Sequence, residues 1–147
     1  MTILHFLAST REAKLAVVAR TTLDDIDTLS TYAELEVVLT HPHIRLAGLC
    51  CNLGPRPLPA SALRSAAGRI VALMERVRRE HGVILTELVL EVGAASLPEL
   101  EASIDREEEL SRSFDDALDD ACAANRFPHP TVALMTDLDI LVDSVHR

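Results

Sequence analysis

The stretch Ile44–Cys51, IRLAGLCC, decides the fold class of this chain. It is apolar over most of its length, and turn residues bound it, with Pro42 before it and Gly54 after it. A short apolar run of this kind is typical of a strand that is buried on both faces of a parallel sheet. The stretch therefore predicts a sheet that is covered by helices.

Four other short runs are also rich in Val, Ile or Leu, and longer amphipathic stretches separate most of them. Because strands that alternate with helices form βα units, the whole pattern predicts a parallel sheet. The four further strand candidates are Thr2–Leu7, Leu15–Arg20, Leu88–Val92 and Val132–Met135.

Three stretches keep their apolar residues at the spacing of a helix. They are Thr31–Leu39, Ser61–Arg79 and Arg106–Asn125. Ser61 is suited to the N-cap of the second helix, since its hydroxyl can accept a hydrogen bond from a backbone N–H of the first turn.

A complete eight-stranded α/β barrel takes about 250 residues, whereas this chain has 147. The fold class that we predict is therefore α/β, an open or half TIM-type barrel of about five parallel strands built from βα units. No repeat or linker divides the chain, so we expect one domain over residues 1–147.

Charge and composition narrow the classes of function. The net charge of −9 argues against a nucleic-acid partner. No apolar run approaches the roughly 20 residues that span a bilayer, and Met1–Thr10 lacks the features of a signal peptide. The three cysteines show no spacing motif, which predicts free thiols, and Lys14 is the only lysine, which indicates a GC-rich bacterial genome. We expect a cytoplasmic protein.

The segment His41–Gly54, HPHIRLAGLCCNLG, resembles the stretch HPxLxLxGLHCHIGSQ of the diaminopimelate decarboxylases. These are fold-type-III pyridoxal-phosphate (PLP) enzymes with a barrel domain and a second β-domain. The stretches Ser61–Ser96 and Cys122–Asp137 resemble later parts of the same barrel, in the same order. The resemblance covers nearly the whole chain and implies the later part of a barrel.

The resemblance also implies that the phosphate-binding positions have changed. The histidine that stacks on the PLP ring falls on Asn52, and the serine that contacts the phosphate falls on Pro55, which has neither a hydroxyl nor a backbone N–H. The glycine triplet around the phosphate becomes Gly93, Ala94 and Ala95. The methyl groups of the two alanines hinder the approach of an anion.

The residues that the family uses for catalysis are missing as well. PLP chemistry begins on a lysine amine, and Lys14 lies at the start of a predicted strand, whereas barrel sites lie at the carboxyl ends. The family's phosphate-facing arginine falls in the stretch Met135–Leu138, which contains none. We therefore predict a catalytically degenerate protein with no cofactor and no PLP.

Side chains at the predicted strand ends can still line a common mouth. Leu46, Gly48, Cys50 and Asn52 are expected to share one face, and the pattern Leu88–Val92 turns Glu91 to that side. The predicted ligand-binding residues are Arg20, Asn52, Glu91 and Asp137, and the candidate catalytic residues are Glu91, Asp137 and Cys50. The alternative is a structural ion-pair network that replaced the lost phosphate.

Three other groups of residues are more simply explained without a ligand. His41 and His43 lack a third metal ligand at a recognisable spacing, so a solvated turn is favoured. The acidic group Asp115, Asp116, Asp119 and Asp120 is the polar face of a predicted helix. Asp24, Asp25 and Asp27 are expected in a loop. No metal is predicted.

Two classes of function follow from the sequence. The first is a non-catalytic module that binds a small polar or amino-acid-like molecule or takes part in assembly. The second is a repurposed, cofactor-independent enzyme of a bacterial natural-product pathway that uses the strand-end pocket. Because a half barrel leaves two open edges, we also expect a homodimer, or a dedicated protein partner.

Overall fold

The computed structural model describes residues 2–6, 14–55, 58–93 and 100–136. In these ranges five strands form one sheet, in the order β1-β2-β3-β4-β5. Three helices connect successive strands from β2 to β5 along the chain. Their bounds are β1 Thr2–Phe6, β2 Leu15–Thr22, α1 Leu29–Leu39, β3 Ile44–Asn52, α2 Ala60–His81, β4 Glu87–Val92, α3 Leu100–Asn125 and β5 Thr131–Thr136.

The predicted α/β class is confirmed, but the prediction of about five parallel strands is wrong for β1. Strands β2, β3, β4 and β5 pair in parallel, whereas β1 pairs with β2 in the antiparallel direction. The reason is the short connection. Only residues 7–14 separate the two strands, and a parallel crossover usually requires a dozen residues or more.

The hydrophobic core lies between one face of the sheet and the helices. Strand β4 contributes Leu88, Leu90 and Val92 to this core, as its alternating pattern predicts. Phe114 and Leu118 of α3 are buried in the same cluster. Since neighbouring side chains of a strand point to opposite faces, Glu91 lies on the other face of the sheet.

A bulge in β3 separates Leu46 from Gly48, Cys50 and Asn52, with which it was predicted to share a face. Val17 pairs with Leu46 and Val18 pairs with Gly48, so Ala47 is an extra residue in the ladder. The bulge shifts the alternation by one residue. Leu46 therefore joins the helix-side core and does not share the face of Cys50, as was expected from uninterrupted alternation.

Gly48 is required at this bulge because the neighbouring strand approaches it closely. A Cβ atom at Gly48 would lie 2.0 Å from the backbone oxygen of Glu87. No side chain fits at that distance, so the backbones of β3 and β4 meet here only because residue 48 has no Cβ.

The helix ends differ from their predicted positions, most of all in α3, which begins at Leu100, six residues before the predicted start at Arg106. Helix α1 begins two residues early, where the side chain of Thr28 accepts a hydrogen bond from the backbone N–H of Thr31. The predicted N-cap Ser61 is wrong, because α2 begins at Ala60 and its N-cap is Pro59, which has no side-chain cap. None of the helices in the described ranges has the length and hydropathy to cross a membrane.

Candidate functional site

Four of the predicted site residues lie on the face of the sheet that is opposite the helices. Arg20 in β2 pairs with Cys50 in β3. Asn52, two residues further along β3, pairs with Glu91 in β4. Cys50 and Glu91 are therefore diagonal neighbours on adjacent strands, and Arg20 lies on the far side of Cys50.

The carboxylate of Glu91 is buried and bound at both oxygens. Its side chain is 2% exposed. The Nη2 atom of Arg20 donates to Oε2, and the thiol of Cys50 donates to Oε1 over 2.9 Å. A charge that is removed from water requires a partner of opposite sign and hydrogen bonds. The neighbouring strand β3 supplies the thiol of Cys50, and β2, one strand further along the sheet, supplies the cation of Arg20.

The thiol of Cys50 is a donor in this cluster. Its side chain is fully buried. Burial raises its pKa well above the usual range, and the hydrogen bond to Glu91 and the charge of that carboxylate raise it further. Since the thiolate is the nucleophilic form, this environment keeps Cys50 protonated.

Asn52 lies on the same face as Cys50 and holds the turn that follows β3. Its Oδ1 atom accepts a hydrogen bond of 2.8 Å from the backbone N–H of Gly54, whose φ is +96°. The side chain is half-buried. The fourth predicted ligand-binding residue, Asp137, lies outside the described residues.

The ends of β3 and β4 are tied together at one corner of the sheet. The backbone N–H of Leu53 donates to the oxygen of Glu91 over 2.9 Å, and that of Gly93 donates to the oxygen of Gly54 over 3.3 Å. A Cβ atom on Gly93 would lie 2.8 Å from the Cα atom of Pro55. The backbone at Pro55 thus occupies the space beside Gly93.

Sequence reasoning missed two groups of polar contacts that anchor α2. The phenol of Tyr32 in α1 donates to Glu80, and the guanidinium of Arg76 lies 3.6 Å from the centre of the Tyr32 ring. Arg69 binds Asp27 through two hydrogen bonds of 2.9 Å and also donates to the backbone oxygen of Leu23. These partners are more than 40 residues apart, and no local pattern connects them.

The other candidate residues lie away from the cluster around Glu91. His41 and His43 are exposed beside each other in the turn before β3. The acidic group Asp115, Asp116, Asp119 and Asp120 of α3 is exposed, and His129 lies 3.1 Å from a carboxylate oxygen of Asp119. Among the described residues, no group of three or more His, Cys, Asp or Glu side chains is arranged to hold a metal ion.

Solved decarboxylases have a similar fold. The structure of diaminopimelate decarboxylase from M. jannaschii matches with a TM-score of 0.51 and 12% identity, over 71% of this chain and 24% of that one. A second structure of that enzyme, in complex with L-lysine, matches with a TM-score of 0.57 and 10% identity, over 84% of this chain and 32% of that one. The lysine decarboxylase of Selenomonas ruminantium gives a TM-score of 0.49 and 16% identity, over 85% and 32%.

The chain has the fold of part of a decarboxylase barrel. This confirms the fold that the resemblance implies, and the chain spans about a quarter to a third of the length of these structures. No protein-family model matches the chain, and no curated protein matches its sequence.

The residues at the corner of β3 and β4 do not fit the phosphate of PLP. The N–H of Gly93 already donates to Gly54, Pro55 has no N–H, and its backbone fills the space beside Gly93. Lys14 lies just before β2, six residues from Arg20, which corresponds to about 20 Å along an extended strand. It is therefore far from the carboxyl ends of the strands.

Proposed function

We propose that the protein is a PLP-independent, catalytically degenerate decarboxylase-like module that binds a small polar molecule at the carboxyl ends of its strands. The observation that carries the proposal is the cluster of Arg20, Cys50 and Glu91, in which two strands hold the buried carboxylate of a third. A buried charge with a partly exposed cation beside it is a feature of binding sites.

Binding is favoured over catalysis by the state of the three groups. Both oxygens of Glu91 are engaged, and the thiol of Cys50 is buried with a raised pKa. A general base or a nucleophile must reach the atom on which it acts. The exposed part of Arg20 does reach the surface, and a guanidinium binds ligands better than it exchanges protons.

A thermal-shift screen of small polar molecules, including amino acids and organic acids, tests this function. We expect at least one compound to raise the melting temperature of the wild-type chain in a concentration-dependent way. No stabilisation by any compound would contradict the proposed binding function.

Glu91→Gln then separates the two roles of the carboxylate. Because Glu91 pairs with Arg20, we expect some loss of stability in this variant, and a ligand-binding role predicts that ligand binding is lost at temperatures where the variant is still folded. A lower melting temperature with retained binding would assign Glu91 to a structural ion-pair network.

We also propose that the chain forms a homodimer. Strands β1 and β5 are the edges of the described sheet, and Val132 and Leu134 of β5 are only partly buried against the core. Edge strands of this composition tend to pair with another chain. Light scattering at micromolar concentration should give twice the mass of the chain. A dedicated partner protein is the alternative, and a stable monomer that does not aggregate would exclude self-association.

A further inference from the structure

We propose that the ligand of this site carries a carboxylate, which accepts hydrogen bonds from Arg20 and Asn52. This inference rests on the proposed function and specifies its ligand. The observation behind it is the juxtaposition, on one face of the sheet, of the partly exposed guanidinium of Arg20, which has only donors, and the half-buried amide of Asn52, whose oxygen already accepts from Gly54.

The acceptor atoms of the cluster are already in use. The two oxygens of Glu91 accept from Arg20 and Cys50, and its side chain is 2% exposed. The Oδ1 atom of Asn52 accepts from the backbone N–H of Gly54. Because a backbone N–H is only a donor, this bond also fixes which end of the amide is the oxygen. Each of these oxygens has a second lone pair, but those of Glu91 are buried, and the positive charge of Arg20 beside them repels an ammonium group.

The N–H donors of Arg20 and Asn52, by contrast, make few hydrogen bonds to other described residues. A guanidinium has five N–H donors, and within the described residues Arg20 uses its Nη2 atom alone, on Glu91. The Arg20 side chain is 36% exposed. The Nδ2 group of Asn52 has two N–H donors on the side of the amide opposite the bond to Gly54, and this side chain is half-buried.

The spacing of the two side chains suits one small oxyanion. Arg20 pairs with Cys50, and Asn52 is the next residue on the same face of β3. Adjacent strands lie about 4.8 Å apart and two residues rise about 6.6 Å, so the two Cα atoms are about 8 Å apart. The long side chain of Arg20 spans this gap, and a guanidinium binds a carboxylate with its planar fork.

The asparagine content of the chain allows a direct test by NMR. The sequence has two asparagines, Asn52 and Asn125, and no glutamine. A ¹H–¹⁵N spectrum of the uniformly labelled protein therefore contains two side-chain amide pairs. Asn125 is an internal reference, since its Nδ2 group donates to the backbone oxygen of Ala121 over 2.8 Å.

Sodium acetate is the probe, titrated against sodium chloride at the same ionic strength. We expect the Asn52 amide pair to shift and saturate with a dissociation constant of about 10 mM, as is reasonable for so small a fragment. The Asn125 pair should stay in place, and methylammonium chloride should move neither pair. An Asn52 pair that does not move with acetate, or that moves equally with methylammonium, would overturn the inference.

Two conservative variants keep the fold and remove the proposed donors. Asn52→Asp keeps an acceptor for Gly54 but replaces the amide donors with a carboxylate. Arg20→Lys keeps a cation for Glu91 but loses the planar fork. Each should weaken acetate binding at least tenfold, and the matched control Arg45→Lys, at an exposed position of β3, should not. The Asn52 pair itself reports on the Arg20 and Arg45 variants, and the backbone amide of Gly54 reports on Asn52→Asp.

Failure of this inference and failure of the proposed function give different results. If a compound without a carboxylate stabilises the protein in the thermal-shift screen and acetate moves no Asn52 signal, the binding function stands and the ligand class is wrong. If acetate binding is unaffected by both variants, the carboxylate binds elsewhere on the protein. If no compound stabilises the protein, the binding function itself fails.

Discussion

In the described part of the chain, two arginine–carboxylate pairs connect distant segments, and they differ in the burial of the carboxylate. In the pair of Arg20 and Glu91, the guanidinium is 36% exposed and the carboxylate 2%. In the pair of Arg69 and Asp27, the guanidinium is 34% exposed and the carboxylate 60%. The two arginines have nearly the same exposure, so burial of the acid is the variable.

The difference in burial predicts how much each pair contributes to the stability of the fold. The carboxylate of Asp27 is well solvated when it is alone, whereas that of Glu91 depends on Arg20 and Cys50 for its charge and hydrogen bonds. A buried acid that loses its cation cannot be compensated by water. The pair of Arg20 and Glu91 should therefore control stability at the strand ends, and the pair of Arg69 and Asp27 should contribute little.

The largest expected effect is that of Arg20→Met. The variant leaves the buried carboxylate of Glu91 without a cation, which costs about 3–5 kcal/mol in the free energy of unfolding. Urea unfolding at neutral pH measures it. The matched control Arg69→Met should cost much less, and equal losses in the two variants would remove the distinction between the pairs.

The double variant Arg20→Met/Glu91→Leu sharpens the comparison. When both members of a buried pair become apolar, no unpaired charge remains, and such replacements are often neutral or stabilising. We expect the double variant to regain most of the stability lost in Arg20→Met, as a double-mutant cycle would show. A double variant less stable than Arg20→Met would mean that Glu91 contributes through other contacts.

Tyr32 offers an intermediate case, a buried phenol beside the exposed acid Glu80. Burial, then the hydrogen bond to Glu80 and its charge, raise the pKa of Tyr32 to about 12. The neutral phenol thus stabilises the fold below its unfolded pKa of about 10, and this contribution is lost as the pH rises toward 12. Since Tyr32 is the only tyrosine and the chain has no tryptophan, ultraviolet absorbance follows the titration directly. Glu80→Gln should lower this pKa, and an unchanged value would separate the phenol from the acid.

The smallest expected effect is the loss of stability in acid that comes from the exposed pair of Arg69 and Asp27. The hydrogen bond from Arg69 lowers the pKa of Asp27 below its ordinary value of 3.8. Its contribution is therefore present above pH of about 4 and is lost as the pH falls through the lowered value. The stability difference between wild type and Asp27→Asn should be small at neutral pH, should disappear in acid and should shrink in 1 M salt. A difference that grows in acid would have the wrong sign.

Local patterns predicted the sheet, the helices and the direction of Glu91. The alternation of Leu88, Leu90 and Val92 placed Glu91 on the opposite face because β4 is regular. The same reasoning failed for Leu46, where the bulge at Ala47 interrupts the alternation. It also failed for the direction of β1, which depends on the length of the connection to β2.

Contacts between distant residues were beyond sequence reasoning. The bond between Cys50 and Glu91 follows once the register of β3 and β4 is known, but register is not readable from one sequence. The contact of Pro55 with Gly93 similarly depends on how two loops meet. From the sequence, Pro55 in place of the family's serine indicated the loss of a phosphate contact. The structure shows in addition that the backbone of Pro55 lies against Gly93.

The chain has the fold of part of a decarboxylase barrel, and we propose that its strand-end corner does not accept PLP. The most direct test is incubation with PLP, followed by gel filtration and an absorbance spectrum of the protein peak. Our account predicts that no PLP absorbance elutes with the protein. A stoichiometric absorbance that is lost in Lys14→Ala would contradict it, since Lys14 would then reach a cofactor held at the corner of β3 and β4.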